Sequence, residues 1–349
     1  MKNVLRRLGI RADIEKVVEN SYYVQYYLKL SPGTRVSYIE KRATEIGLSM
    51  KSYGKPLVKV ISEQGLVVLE MLIKPCQYVS YNELRGELFQ SSFTLPIMIG
   101  RGLSGEALLT DLASYPHLLV AGCSGSGKSI YLSTLVCGLV EARQDVKLVL
   151  VDPKAVEFVG FNGVKSLMYD VVTDADDVMD VLDELVGEME LRFRVMATGR
   201  SNTIEGFNQQ SNHKLPYIVV VIDEFSDLSL SIRDFQSLIG RLSAKSRAAG
   251  IHFVLATQRP VARAISGLVK ANFSARIGFH MSSAMDSRIL FDRNGAEGLR
   301  GCGDGLLVDL HHDLFRFQAP LITREQVAAI CESNKRTGWN KLVNALRGL

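Results

Sequence analysis

Residues 122–129 read GCSGSGKS, a G-x-x-x-x-G-K-[ST] run set between an apolar stretch, residues 117–121 (HLLVA), and a stretch of helical spacing, residues 130–141. A loop of this kind binds phosphate through its backbone. Glycines at 122, 125 and 127 let the N–H groups of Gly122, Cys123, Ser124, Gly125, Ser126 and Gly127 curl around a β-phosphate, and the following helix aims its positive end at the same anion. Lys128 then reaches the β- and γ-phosphates and Ser129 ligates Mg²⁺. The eight residues predict a nucleoside triphosphate site.

Working outward, three more short apolar runs rich in β-branched residues follow, at residues 146–152 (VKLVLVD), 217–225 (YIVVVIDEF) and 251–258 (IHFVLATQ). Continuous apolar runs of this length are what buried parallel strands require. Helical patterns at 174–196 and 233–249 separate them, so the expected fold class is α/β, a mainly parallel sheet covered on both faces. Functional residues then belong at the carboxyl ends of the strands. One such end carries Asp223 and Glu224: Asp223 is expected in the Mg²⁺ shell, Glu224 as the base that polarises the attacking water. The neighbouring run ends in Gln258, an amide suited to touch both γ-phosphate and water. Arg247, just ahead of that run, is the first candidate for an arginine supplied to a neighbouring subunit's transition state, with Arg241 second.

A chain of 349 residues is long enough for two domains. The first part reads as a strand (22–30), an SPGT turn (31–34), a helix (36–48) and two further strands (57–61 and 66–73), with no catalytic constellation. The expected division lies near residue 95: a small α/β domain at 1–95 and a nucleotide domain at 96–349. No apolar run approaches the ~20 residues of a membrane span, which predicts a cytoplasmic protein. Five scattered cysteines (Cys76, Cys123, Cys137, Cys302, Cys331) fit neither a disulfide framework nor a zinc site. Net charge is +4, but residues 235–285 hold no acid and seven cations: Arg241, Lys245, Arg247, Arg259, Arg263, Lys270 and Arg276. A one-sign block of that kind is the footprint of a polyanion.

Beyond the phosphate loop, the stretches PHLLVAGCSGSGKS (116–129), VDPKAVEF (151–158), VIDEFSDL (221–228), RAAGIHFVLATQRP (247–260), GLVKANFSARIGF (267–279), SSAMDSRILFD (282–292) and GCGDGLLV (301–308) resemble the FtsK/SpoIIIE double-stranded DNA translocases, RecA-like ATPases of the HerA–FtsK group. The similarity runs from about residue 20 to residue 310. It implies a RecA-like P-loop core, ATP with Mg²⁺ as cofactors, and a homo-oligomer, a hexameric ring around duplex DNA with ATP sites between neighbours. By the same resemblance Arg247 acts in trans, and Arg259, Lys270 and Arg288 face the DNA. Contacts of this kind go to phosphates and need no particular sequence.

The chain departs from the family pattern in three ways. Ala284 stands where a lysine is usual, Cys123-Ser124 replaces Thr-Thr, and neither the membrane-spanning part nor the winged-helix module of the cell-division members is expected here. The expectation is thus an ATP-driven duplex-DNA translocase lacking anchor and orientation reader, or a piece of a longer one. A nucleotide-switched DNA-binding or assembly module and an ATP-dependent helicase are the alternatives that share this core.

Overall fold

The computed structural model describes residues 1–19, 23–74, 78–142 and 145–336; Cys76 lies outside them. The first unit comprises α1 (Lys2–Arg7), β1 (Ala12–Glu19), β2 (Tyr23–Leu30), α2 (Val36–Met50), β3 (Leu57–Ile61) and β4 (Leu66–Leu72). Its four strands form an antiparallel sheet in the order β1-β2-β4-β3. Leu5, Ile39 and Ile46 of the helices meet Val24, Leu28, Val67, Leu69 and Met71 of the central strands in a core of their own. Expectation and structure agree on β2, α2, β3 and β4. The strand missed by the sequence reading, β1, is an edge strand with Asp13, Glu15, Lys16 and Glu19 along it and no buried residue, so it lacks the apolar alternation that marks a half-buried strand.

The second unit is built on β6 (Pro96–Gly102), β7 (Ala107–Asp111), β8 (His117–Ala121), β9 (Val146–Val151), β10 (Tyr217–Ile222), β11 (Ile251–Thr257), β12 (Ala275–Gly278), β13 (Asp304–Val308) and β14 (Leu314–Gln318). These nine strands form one sheet in the order β7-β6-β14-β13-β12-β8-β11-β10-β9. The run from β12 to β9 is parallel, as the apolar runs predict, and every residue of β8, β10 and β11 is buried. Four antiparallel strands extend it beyond β12, making the sheet larger and more mixed than expected. A pair of very short strands, β5 (Val79–Ser80) and β15 (Pro320–Leu321), lies beside it.

Helices α3 (Tyr81–Gln90), α4 (Lys128–Ala142), α5 (Ala175–Thr198), α6 (Ile204–Gln210), α7 (Phe225–Ser231), α8 (Phe235–Lys245), α9 (Gly267–Asn272), α10 (Ala284–Phe291) and α11 (Arg324–Ser333) complete the unit. In α5 the buried residues Val178, Val181, Leu182, Leu185, Val186 and Met189 recur at the spacing that gives a helix one apolar stripe, and the Asp174 carboxylate caps its first turn. Upstream of residue 95, α3 starts in a capping box made by Ser80 and Glu83, and Tyr81, Leu84 and Leu88 enter the core of the large sheet. Its Tyr81 hydroxyl and Arg85 guanidinium both bond Glu141 of α4, at 2.6 and 2.7 Å. This helix therefore packs with the nucleotide domain rather than with the small unit. Between the two units Lys55 pairs with Glu297 at 2.8 Å and the Tyr23 hydroxyl meets Ser104 at 3.1 Å.

Gly100 marks where β6 is pinched between its neighbours. The register against β7 shifts between Met98 and Gly100, φ is +151°, and a Cβ would lie 2.2 Å from the carbonyl oxygen of Gln318 on β14. We expect Gly100→Ala to lower stability by about 3 kcal/mol, the upper range for a single strained site. Gly86→Ala, in open space on α3, should raise stability by about 0.5–1 kcal/mol. Chemical denaturation of the two variants checks both signs, and equal midpoints would contradict the steric account.

Candidate nucleotide site

Between β8 and α4 the chain makes the turn that its glycines allow. Gly127 has φ +109°, and a Cβ there would stand 2.6 Å from the amide nitrogen of Gly303, so both conformation and space exclude a side chain. At Gly122 the obstacle is space alone, with Ser126 Oγ at 2.6 Å and Phe279 Cβ at 2.7 Å from the same atom. The loop is tied to the flanking strands: Gly122 N–H donates to Thr257 O (3.2 Å) and Cys123 N–H to His280 O (2.9 Å). Ser126 Oγ is buried without a hydrogen-bond partner among the described residues. Ser124 and Gly125 are exposed, while Cys123, Gly127 and Ser129 are half-buried along a cleft of about 460 Å³.

Lys128, only 2% exposed, donates to Asp223 Oδ1 and lies 3.7 Å from Glu224 Oε1. Glu224 is buried as well and takes a left-handed backbone, φ +52°, a conformation that costs a non-glycine residue about 1 kcal/mol or more. Its Oε2 accepts the Gln258 N–H at 3.4 Å, whereas Oε1 has no hydrogen bond among the described residues. Lys154 approaches from the loop after β9, 3.6 Å from Glu224 Oε1 and 3.4 Å from Asp227. Partial burial works against the charge of the Lys154 amine, but the Glu224 and Asp227 carboxylates outweigh it and raise its pKa.

Two buried carboxylates thus share the Lys128 ammonium, and Glu224 Oε1 has two lysines at ion-pair distance but no hydrogen bond among the described residues. An ammonium drawn from Asp223 to phosphate would leave that carboxylate for another cation. Among the described residues no group of three or more His, Cys, Asp or Glu could hold a metal alone. A divalent ion here would take Asp223, the Ser129 hydroxyl and phosphate oxygens, the sparse protein ligation Mg²⁺ commonly has. Phosphates would take Lys128 and the loop amides.

Sequence reasoning missed the opposite wall of the cleft. A turn at residues 301–303 lies against the phosphate loop through Gly303 N–H to Ser126 O (2.9 Å). Its anchor is Asp304, fully buried and paired with Arg316 (2.7 Å) and Arg300 (2.9 Å). Burial alone would raise the Asp304 pKa, but the two guanidinium groups reverse that and hold it below the usual carboxylate range. Cys302, exposed in this turn, and Tyr78, Ala319, Pro320 and Leu321 line the rest, a largely apolar surface suited to a flat ring. The GCGDG run was visible in the sequence, but its contact with residue 126 needs the β13–β14 hairpin to fold back.

Arg247 stands elsewhere. It is exposed on the turn Ser246–Ala249, immediately before β11, while Gln258 immediately follows that strand. Seven strand residues span about 23 Å, so Arg247 is at the opposite edge of the sheet from its own cleft. The turn is held by Arg192 Nη1 to Ala249 O (2.9 Å) and Ser246 Oγ to Ile251 O (2.8 Å). Nearby, burial pushes the pKa of His117 down to about 3 and that of His252 to about 4, so both are neutral at ordinary pH and add no charge beside Arg247.

The expected polyanion contacts differ from one another. Arg259 is exposed with no side-chain partner among the described residues, and Arg288 is exposed with Nε on Asn294 Oδ1 at 2.8 Å. Lys270, in contrast, donates to Asp292 at 2.7 Å. Arg276 is buried and bonds the same carboxylate at 2.9 Å. Two of the seven cations in the acid-free block are therefore neutralised by an acid just outside it.

Removing Lys128 should be felt by the fold as well as by the ligand. Breaking a buried pair strands its partner, at a cost of about 3 kcal/mol or more. We expect Lys128→Met to lower the melting temperature without nucleotide, and Lys128→Met/Asp223→Asn to recover most of the loss. A single variant melting with the parent protein would show that the pair adds nothing to the free form.

The FtsK/SpoIIIE family profile matches residues 81–262, just over half of the chain. A DNA translocase FtsK of Haemophilus influenzae is 34% identical over 96% of this chain and 69% of its own length. Its counterpart in Borreliella burgdorferi is 33% identical over 97% of this chain but 44% of its own length, so the chain spans less than half of that relative. Among solved structures, the pCW3 conjugation coupling protein TcpA, in its monomer form with ATPγS, superposes with a TM-score of 0.69 at 21% identity, covering 95% of this chain and 98% of the other. The cytoplasmic domain of the Thermomonospora curvata type VII secretion ATPase EccC gives 0.66 at 25% identity, over 74% of this chain and 35% of that one. With the phosphate loop, the acid pair and the strand order already in place, these matches establish that the chain belongs to the FtsK/SpoIIIE family.

Proposed function

We propose that this chain is the motor portion of an ATP-driven translocase for double-stranded DNA, working as a ring, most simply a hexamer, in the cytoplasm. The observation that supports this best is the split of the site. The phosphate loop and Gln258 line one cleft with Asp223 and Glu224 buried behind Lys128, and Arg247 stands at the far end of the same sheet, out of reach of that cleft and exposed toward a neighbour. Bound Mg²⁺ would neutralise phosphate charge between Ser129 and Asp223. On ATP binding Lys128 passes from Asp223 to the β- and γ-phosphates, Glu224 accepts the proton of the attacking water, and Gln258 senses the γ-phosphate from the end of β11. The apolar wall at Tyr78 and residues 319–321 receives the base. A bound phosphate would accept from the Ser126 hydroxyl, and the attacking water would donate to Glu224 Oε1, the two buried atoms without a hydrogen bond among the described residues.

Exposed Arg259 and Arg288 are the proposed DNA-phosphate contacts, and Lys270 joins them only by leaving Asp292. DNA contact and hydrolysis then belong to residues 96–349 together with α3, with the small unit as an accessory. The test is ATP turnover of the purified chain with and without duplex DNA, alongside its mass in solution. Turnover should rise on adding duplex, fall by roughly 10²–10⁴-fold in Glu224→Gln with ATP binding retained, and be poor in Arg247→Ala. Mixing those two variants should restore activity, because one interface then joins an intact arginine to an intact base. Failure of rescue in rings shown to be mixed would reject the shared site. Neutralising Arg259 should reduce the slope of log K against log salt by about 0.9 for each phosphate that the side chain had neutralised.

A further inference from the structure

Two lysines face one oxygen of Glu224, and they differ in what else they do. Lys128 Nζ, 3.7 Å from Oε1, gives its hydrogen bond to Asp223 and belongs to the phosphate loop. Lys154 Nζ, 3.6 Å from Oε1, is braced on its other side by Asp227 at 3.4 Å, in the first turn of α7. The loop carrying Lys154 is firmly built. Asp152, fully buried at the end of β9, accepts the N–H groups of Glu157 (2.7 Å) and Phe158 (2.9 Å), and Phe158 is itself buried. Ala155 turns that loop with φ +52°.

Once phosphates draw Lys128 away, Lys154 is the cation that remains within ion-pair distance of Glu224 among the described residues. Its side chain is 47% exposed, so the pair contributes little to stability. What it can supply is direction. Glu224 sits in a left-handed conformation at the start of α7, with Oε1 lacking a hydrogen bond among the described residues, and a cation braced beside that oxygen favours one orientation of the carboxylate.

We propose that Lys154 is a positioning residue for ATP hydrolysis: held between the 152–158 loop and Asp227, it orients the Glu224 carboxylate toward the cleft during turnover. The assignment rests on reading Glu224 as the base. It acts through Glu224 and makes no contact of its own with nucleotide.

Steady-state ATPase of the full chain with duplex DNA provides the test. Lys154→Met should lower kcat about tenfold, a fraction of what a general base contributes, with KM for ATP within about twofold and melting temperature unchanged. Lys154→Arg should restore most of kcat, and Asp227→Asn should give a smaller loss of the same kind. Single-turnover rates separate the two readings: Lys154→Met/Glu224→Gln should be no slower than Glu224→Gln alone. An unchanged or increased kcat in Lys154→Met, an effect confined to KM, or a further loss in the double variant would overturn the assignment. Near-normal turnover in Glu224→Gln would instead remove the base reading on which it stands.

Discussion

The site depends on one buried ammonium crossing between strands. In the sheet β8 and β10 are separated by β11, and Lys128, at the start of the helix after β8, spans that gap to Asp223 at the end of β10. The crossing is possible because the parallel registers bring strand ends level: Ala121 pairs with Thr257, and Ile222 with Leu255 and Val151. Phosphate loop, acid pair, Gln258 and Asp152 then emerge from one edge. A slip of one residue in any pairing would turn the following side chains to the other face.

Strand polarity also sets how far Arg247 stands from the cleft. A parallel sheet puts all its carboxyl ends on one edge and all its amino ends on the other. Arg247 precedes β11 and Gln258 follows it, so the two cannot approach one ligand in a single chain. The far edge is as carefully held as the near one. His117 accepts the Phe253 N–H at 3.0 Å through Nδ1 and bonds Ser243 O at 2.9 Å through Nε2, joining β8 and β11 to the helix that leads to Arg247. Neutral imidazoles suit that place, since a buried cation would repel the arginine.

Legibility in the sequence followed the range of the forces involved. The phosphate loop, the four central parallel strands, α5 and the acid pair were readable because each is specified by neighbours in the chain, through glycine conformation, continuous apolar runs or helical periodicity. The edge strand β1 was hidden by its charges. Strands β12 to β14 were hidden for a different reason: β12 is four residues long, and β13 and β14 gain their place from antiparallel pairing across a sheet whose existence they do not announce. Helix α3 and its packing into the nucleotide-domain core were equally silent, because Tyr81, Leu84 and Leu88 find their partners only across the large sheet.

By itself the sequence determined the backbone cradle of residues 122–129, the acids Asp223 and Glu224 at a strand end, and the kinship of the chain, all of which depend on residue order over short spans. Tertiary structure decided which charges are free to act. Arg276 and Lys270 count among seven cations in the sequence, yet both are bound to Asp292, whereas Arg259 and Arg247 remain exposed. Lys154 reads as one more surface lysine until the fold brings it to Glu224, and Cys302 as a stray thiol until its turn closes on the phosphate loop. The physical reason is that formal charge belongs to the residue, while its energy depends on distance and solvent, and both are set only when strands distant in the chain are packed side by side.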